Sequence, residues 1–491
     1  MNLYQLSEPT KSQEIMLGID LGTTNSLVAL ASPKGVRLIT DNSGHSIIPS
    51  VIAYVDGNAM IGYQAMAKES STYSSKRVIA SRSVEGLCIR SGNHDLDQAI
   101  RDSAEILRYL KKLAQLSEGL EVNRVVLTVP AHFNEHARNA TRKAAEIAGL
   151  DVVRLLNEPT AAAVAHSLNA RAAGNFLVYD LGGGTFDVSI LKVYDGALRV
   201  VATGGDNNLG GDDFDDILAS YLYSCAISSL KREQLLLAKR VKEHLSNHDD
   251  WSFEAAPGNL SANAIIGSGL VMKPKLDYVT RDEVEKLWDH LIKRSMAIAH
   301  RTIKDSGFSH DKIDEIILVG GGSRMPLVKN TLQEMFGNRP PLDSINPDEV
   351  VAIGAGIQAR ALLGYSDHLL LDVVPMSLCI ETLGDEVEVI IPRNAPIPAI
   401  IGKMFTTSID GQTTFKIQIL QGEGKLVKEC VSLGLFELDG ITPMLAGQAR
   451  LEITFIVDAN GLLSVKAEER VTGISKDVDI RRIATSLDNK E

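Results

Sequence analysis

The sequence lacks any uninterrupted run of the roughly 18 apolar residues that would span a bilayer. Its first 14 residues, which carry Glu8 and Glu14, lack the apolar stretch of a secretory leader. A cytoplasmic location with no membrane partner is therefore expected. Cysteine is scarce: Cys88, Cys225, Cys379 and Cys430 are too far apart for a zinc motif and too few to staple a chain of 491 residues, so they read as reduced packing residues. Positive charge is in deficit, with 50 Lys plus Arg against 62 Asp plus Glu and a formal net charge of −12. Such a chain repels a phosphate backbone, which argues against nucleic acid as a partner. No Gly-x-x-x-x-Gly-Lys-Ser/Thr occurs, which excludes a P-loop. Core-forming residues are plentiful, at 44% hydrophobic, enough for two or more domains.

A weak internal repeat comes first. Leu17-Gly-Ile-Asp-Leu-Gly-Thr-Thr and Val178-Tyr-Asp-Leu-Gly-Gly-Gly-Thr each run from a buried-looking strand into Asp-Leu-Gly and a turn, and alternation resumes after both, at Ser26 and Phe186. Two similar halves, each opening with a hairpin, are implied. Between and after them lie helices: Asn134 to Ala148 with Gly149 as the C-terminal stop, an Ala-rich helix opened by Pro159, and one started by the capping box Thr280-Arg-Asp-Glu283. Asn346-Pro-Asp-Glu349 is expected to cap Val350 to Leu363 in the same way. Interleaved strands and helices up to about residue 365 make an α/β unit. Then Ser366-Asp-His-Leu-Leu-Leu-Asp372 reads as a linker too short for structure of its own, and beyond it alternation such as Leu451, Ile453, Phe455 and Val457, followed by Asn460-Gly461, predicts an antiparallel β-sandwich. The expected domains are residues 1–365, 366–372 and 373–491.

Holding a nucleotide by its phosphates calls for Gly, where backbone N–H groups must approach closely, for hydroxyl donors and for carboxylates toward hydrated Mg²⁺. The sequence supplies that set twice, as Asp20, Gly22, Thr23, Thr24 and Asn25, and as Asp180, Gly182, Gly183, Gly184, Thr185 and Asp187. A third cluster, Gly320, Gly321, Gly322, Ser323 and Arg324, follows the apolar strand Ile316 to Val319 and suits the nucleoside, with Arg324 stacking on the base. One Asp-x-Gly turn alone is ordinary turn chemistry. Three such loops, each after a strand, favour a nucleotide site.

These residues resemble the DnaK-type heat-shock chaperones, whose ATPase domain has the actin and sugar-kinase fold. Gly18 to Ser26, Asn157-Glu-Pro-Thr-Ala-Ala-Ala163, Tyr179 to Ser189 and Leu209-Gly-Gly-Asp-Asp-Phe-Asp215 fit the family pattern in order, and the likeness continues through Asn346-Pro-Asp-Glu349, Leu369-Leu-Leu-Asp372 and the sandwich. The second half is most similar to the branch devoted to iron–sulfur cluster assembly, at Arg339 to Ile345, Gln421 to Cys430 and Ser432 to Leu438. The resemblance implies a monomer that hydrolyses ATP to ADP with Mg²⁺ and K⁺ to control binding of an extended client segment. The client is expected to be an IscU-like iron–sulfur scaffold, and the co-chaperone an HscB-like J-domain protein.

Residue by residue, the likeness implies catalysis by Lys76, Glu158, Asp180, Thr185 and Asp187, with Asp20 and Asp180 meeting the metal through water. Gly210, Gly211, Asp212, Lys242, Ser246 and Asp348 complete the nucleotide site. Pro130, Arg138, Arg154 and the linker Leu369, Leu370, Leu371 and Asp372 carry coupling, with Arg154 also where J-domain partners dock. Ile380, Thr382, Leu383, Phe405, Ser408, Phe415 and Ile417 form the peptide groove, although alternating apolar residues otherwise usually form core.

Departures sharpen the expectation. Phe415 replaces a smaller Val and narrows the groove, favouring a dedicated client over general folding work. Lys239 stands where the family has Glu, Glu243 where it has a basic residue, and Gly322 replaces Ser, so loose ADP binding and fast exchange are expected. The stretches from Lys76 to Val125 and from Phe214 to Ser246 are short, and the family's helical lid is expected to be absent, whether from a lidless natural form or from truncation. A generalist chaperone, a sugar kinase of the same fold and a non-catalytic ATP-binding module remain alternatives, the last two disfavoured by the β-rich region or separable by Lys76→Ala.

Overall fold

The computed structural model describes residues 15–80, 95–170, 173–194, 197–253, 274–342, 345–366 and 369–479. Cys88 and the expectation of a missing lid lie outside the described residues.

The repeat becomes two sheets built on one plan. In the first lobe, β1 (Met16–Leu21), β2 (Asn25–Ser32), β3 (Gly35–Leu38), β4 (Arg124–Val129) and β5 (Asp151–Asn157) lie in the order β3-β2-β1-β4-β5. In the second, β6 (Gly174–Leu181), β7 (Phe186–Tyr194), β8 (Ala197–Asp206) and β9 (Glu315–Val319) lie in the order β8-β7-β6-β9. Both hairpins are antiparallel and both fourth strands join parallel to the first. The centre strands are buried on both faces, so they read as near-continuous apolar runs. Their Asp-Leu-Gly turns therefore emerge at the same end of each sheet.

Helices cover the sheets: α1 (Leu96–Glu118), α2 (Glu135–Ile147) and α3 (Glu158–Ala170), then α4 (Gly211–Tyr223), α5 (Arg232–Leu245), α6 (Arg281–Asp305), α7 (Pro326–Met335) and α8 (Val350–Leu362). Thr280 and Glu283 form the expected capping box of α6, and Asn134 caps α2. The corresponding box at α8 does not form. Asn346 Oδ1 instead accepts from the Asp348 amide at 3.2 Å and from Arg324, Glu349 bonds Ser46, and α8 begins at Val350 without a side-chain cap. Proline at 347 and the pull of Arg324 turn this segment into a tight loop rather than a helix start.

The lobes share a floor. Met16, Val126, Leu156 and Ala161 of one pack with Val178, Ile317, Val350 and Ala355 of the other or of α8 in one core cluster. α3 and α8 cross there so closely that a Cβ on Gly354 would lie 1.8 Å from the Ala161 carbonyl oxygen.

The linker has more structure than its length suggested. Leu369–Leu371, as β10, pairs parallel with Ala197–Arg199 at the outer edge of β8. A segment too short to make a sheet alone completes its hydrogen bonds on an existing edge. Beyond it, β11 (Leu378–Thr382), β12 (Glu386–Ile391), β13 (Ala399–Phe405), β14 (Thr414–Gln421), β15 (Val431–Asp439), β16 (Leu451–Val457), β17 (Leu463–Glu469) and β18 (Ser475–Asp479) form two antiparallel sheets, β12-β11-β14-β15 and β13-β16-β17-β18. Their inward residues, among them Leu378, Ile419, Phe455 and Val465, make the sandwich core.

Candidate functional site

The two Asp-Leu-Gly turns face each other across the cleft. Asp20 ends β1, Asp180 ends β6 and Asp187 starts β7, while Glu158 enters from the start of α3. Lys76 is brought in by the short helix Ser75–Ala80; it is 4% exposed and its Nζ lies 2.5 Å from Glu158 Oε1. A surface lysine is thereby excluded for this position. The loops touch: a Cβ on Gly183 would lie 2.0 Å from Thr24 Oγ1, so only glycine permits this approach. Together Asp20, Gly22, Thr23, Thr24, Asn25, Lys76, Glu158, Asp180, Gly182, Gly183, Thr185, Gly320, Gly321 and Asp348 line one cleft of about 550 Å³.

Three buried carboxylates, Glu158, Asp180 and Asp187, and the half-buried Asp20 face a single ammonium, and the electrostatics register the imbalance. Burial, with Glu158 next, pushes Asp20 up to about 7 despite the nearby Lys76 and a bond from Thr128 Oγ1 at 2.9 Å. Burial, then Glu158, pushes Asp187 up to about 8, although the His132 amide donates to it at 2.9 Å. Asp180 is raised well above the carboxylate range by burial and by its acidic neighbours. A hard divalent cation is what this oxygen-rich, over-negative set fits.

The cleft continues into a second space of about 850 Å³, lined by Gly211, Asp212, Lys239, Lys242, Glu243, Ser246, Gly321, Gly322, Arg324 and Asp348. Lys242 is held by Asp215 at 2.7 Å and donates to the Gly211 carbonyl, and Ser246 bonds the Lys242 carbonyl. Lys239 and Glu243 pair loosely at 4.0 Å. Arg324 is drawn to Asp348 Oδ2 at 2.6 Å, with its side chain about half exposed. Gly322 lies so near Leu181 that a Cβ would sit 2.8 Å from its carbonyl oxygen. Ser323 is buried, and its hydroxyl donates to the Gly320 carbonyl. Gly184 packs on Thr23, and Gly210 on the Gly183 carbonyl.

The coupling candidates also converge. Arg138 donates through both Nη atoms to Asn157 Oδ1, and Asn157 Nδ2 donates to Asp372 Oδ2 at 3.0 Å. Arg154 lies in the field of Asp372 and Asp458, and Pro130 precedes the turn that presents His132 to Asp187. The sandwich meets this face directly: Gln421 accepts from the Glu135 amide, Asn394 accepts from the Thr203 amide and Arg393 pairs with Asp305. Asn157, Thr128 and Gln421 were not singled out individually, although Asn157 and Gln421 stand inside motifs already quoted.

Four of the groove candidates meet in the sandwich core and three lie outside it. Ile380, Phe415 and Ile417 belong to the sandwich core, Phe405 packs at its margin, Thr382 is half-buried, Ser408 is exposed, and Leu383 is 78% exposed in a turn.

Two lobes on one strand plan, closing glycine loops over buried carboxylates and tied by a strand to a β-sandwich, define an actin-like ATPase joined to a β-rich module. The sequence matches the family described as "Hsp70 protein" over residues 16–491, and the chain belongs to the Hsp70 family. Similar proteins include a chaperone protein HscA homolog of Colwellia psychrerythraea, 41% identical, and one of Vibrio campbellii, 43% identical. The chaperone protein HscA of Edwardsiella ictaluri is 42% identical. Each alignment covers 98% of this chain and 81% of the relative. The chain is thus an ATP-dependent chaperone that binds and hydrolyses ATP, acting on clients with co-chaperones. No helix among the described residues is long and apolar enough to cross a membrane.

Proposed function

We propose that the chain is a specialist chaperone of iron–sulfur cluster assembly in the cytoplasm. Its client is an IscU-like scaffold and its co-chaperone an HscB-like J-domain protein. Residues 1–365 form the nucleotide-binding domain, 366–372 the linker and 373–491 the peptide-binding sandwich. Support for the specialisation comes from the likeness to relatives named HscA and from Phe415, buried in the sandwich where the family resemblance expects a smaller Val.

In this reading a hydrated Mg²⁺, with K⁺, would supply the positive charge that phosphoryl transfer needs when bound. Asp20 and Asp180 would hold that hydrated ion. Asp187, fixed by the amide of His132, orients the attacking water, and Lys76, held by Glu158, meets charge developing on the γ-phosphate. Thr23, Thr24, Thr185 and the amides of the glycine loops cradle the phosphates.

The single observation that carries ATP-to-client coupling is the chain Arg138–Asn157–Asp372, which ties the end of β5, one residue before Glu158, to the linker strand. A two-state element biased from both ends is what coupling requires, and β10 is that element. The test is phosphate release with an IscU-like scaffold and J-domain protein added. Stimulation of about tenfold or more supports the reading, whereas equal stimulation by unrelated unfolded clients favours a generalist.

A further inference from the structure

Outside the cleft, the second lobe brings two imidazoles together nitrogen to nitrogen. His300 stands near the C-terminal end of α6, exposed, and His310 opens the short 3-10 turn His310–Lys312 that leads into β9. Between them the chain reverses at Gly307, whose φ of 75° is left-handed. The reversal is anchored on the core of the second lobe, where Ile303 and Ile313 are buried and Phe308 packs against them and their neighbours. The ring of Phe336, the residue after α7, lies 5.6 Å from the His310 ring and gives it a wall to pack on. Held in this way, His310 Nε2 comes within 3.1 Å of His300 Nδ1. The ring centres are 4.9 Å apart and the planes are inclined at 62°, so the rings meet by their nitrogens rather than by their faces.

We propose that His300 and His310 form a two-imidazole site for a divalent first-row transition ion. Imidazole is the commonest protein ligand for such ions. Metal–nitrogen bonds of about 2.0 Å drawn from both rings would meet at an angle of about 100°, which lies between the right angle of a square-planar ion and the tetrahedral angle of zinc. In the metal-free pair one facing nitrogen donates its proton to the other. With an ion bound, each ring turns a lone pair inward and carries its proton on the far nitrogen, His300 on Nε2 and His310 on Nδ1, so both rings stay neutral. No group of three or more His, Cys, Asp or Glu that could hold a metal occurs among the described residues, so water fills the other positions and the ion is exchangeable. Such an ion ties the end of α6 to the entry of β9, the strand that runs into Gly320–Arg324. The other histidine pair differs: His244 and His248 stack 3.9 Å apart with planes at 7°, and His248 Nδ1 donates to the His244 carbonyl, so its facing atoms do not form this bite.

The test is titration of the full chain with Cu²⁺–iminodiacetate, a complex that keeps two adjacent positions open, read by calorimetry and by electron spin-echo modulation from coordinated imidazole. Wild type is expected to show two imidazoles on one copper. His300→Asn and His310→Asn should each weaken binding at least about tenfold and leave one imidazole or none, with folding of each variant checked by its melting curve. The double variant His244→Asn/His248→Asn should keep the wild-type affinity and the two-imidazole signal. Wild-type affinity and signal in both single variants, or no two-imidazole signal in the wild type, would overturn the site and leave only a hydrogen bond between the rings. Loss of the signal in the His244/His248 variant alone would likewise overturn it, by moving the copper to that pair.

Discussion

The nucleotide cleft and the sandwich differ in what their residues can be besides functional. In the cleft, Lys76, Glu158, Asp180 and Asp187 are buried ionisable groups, with the half-buried Asp20 beside them, that no packing argument would place there, since charging each costs free energy of desolvation. In the sandwich, Ile380, Phe415 and Ile417 satisfy the core whether or not a peptide ever binds beside them. Function is therefore readable from burial where it opposes stability and hidden where the two coincide.

Perturbing each region should expose that contrast. Lys76→Ala is expected to slow ATP hydrolysis by about 100-fold or more, the scale of losing a preorganised positive group at a developing charge, with the fold retained in circular dichroism; phosphate release at the wild-type rate would return the cleft to a non-catalytic binding module. Asn157→Ala should leave hydrolysis largely intact while ATP-triggered peptide release, followed by fluorescence anisotropy, slows about tenfold. Phe415→Val should change affinity for a generic apolar peptide only a few-fold, while its larger measurable effect is a loss of stability of roughly 1–3 kcal/mol from the vacated core.

A pH experiment sharpens the comparison from the cleft side. Asp187 is raised by burial to about 8 from an ordinary 3.8, so the nucleotide-free folded state holds a proton that the unfolded state releases. This contribution to stability is lost as pH rises from about 4 through about 8. Asp187→Asn should accordingly melt above wild type at pH 8, with the gap narrowing toward pH 4, and Mg²⁺–nucleotide should reduce the gap by supplying positive charge. A gap that does not vary with pH would contradict the electrostatic account.

The repeated Asp-Leu-Gly hairpins and the antiparallel strands after Asp372 were legible because each rests on local periodicity or turn chemistry. The loop at Asn346 was misread because its cap depends on Arg324, 22 residues away, which captures Asn346 Oδ1. β10 was missed because an isolated Leu-Leu-Leu acquires strand structure only from the edge of β8. The bonds from Arg232 to the Lys68 and Glu69 carbonyls could not be read at all, because backbone carbonyls carry no sequence signal.

The central claim is that the cleft's nucleotide governs whether β10 stays docked. Hydrogen exchange of the amides in Leu369–Leu371 and Ala197–Arg199 tests it directly, with saturating Mg²⁺–ATP compared against Mg²⁺–ADP. The account predicts strong protection of both segments with ATP and its joint loss with ADP, while the centre strands β1 and β6 stay protected throughout. Equal protection of β10 in the two nucleotide states would contradict it.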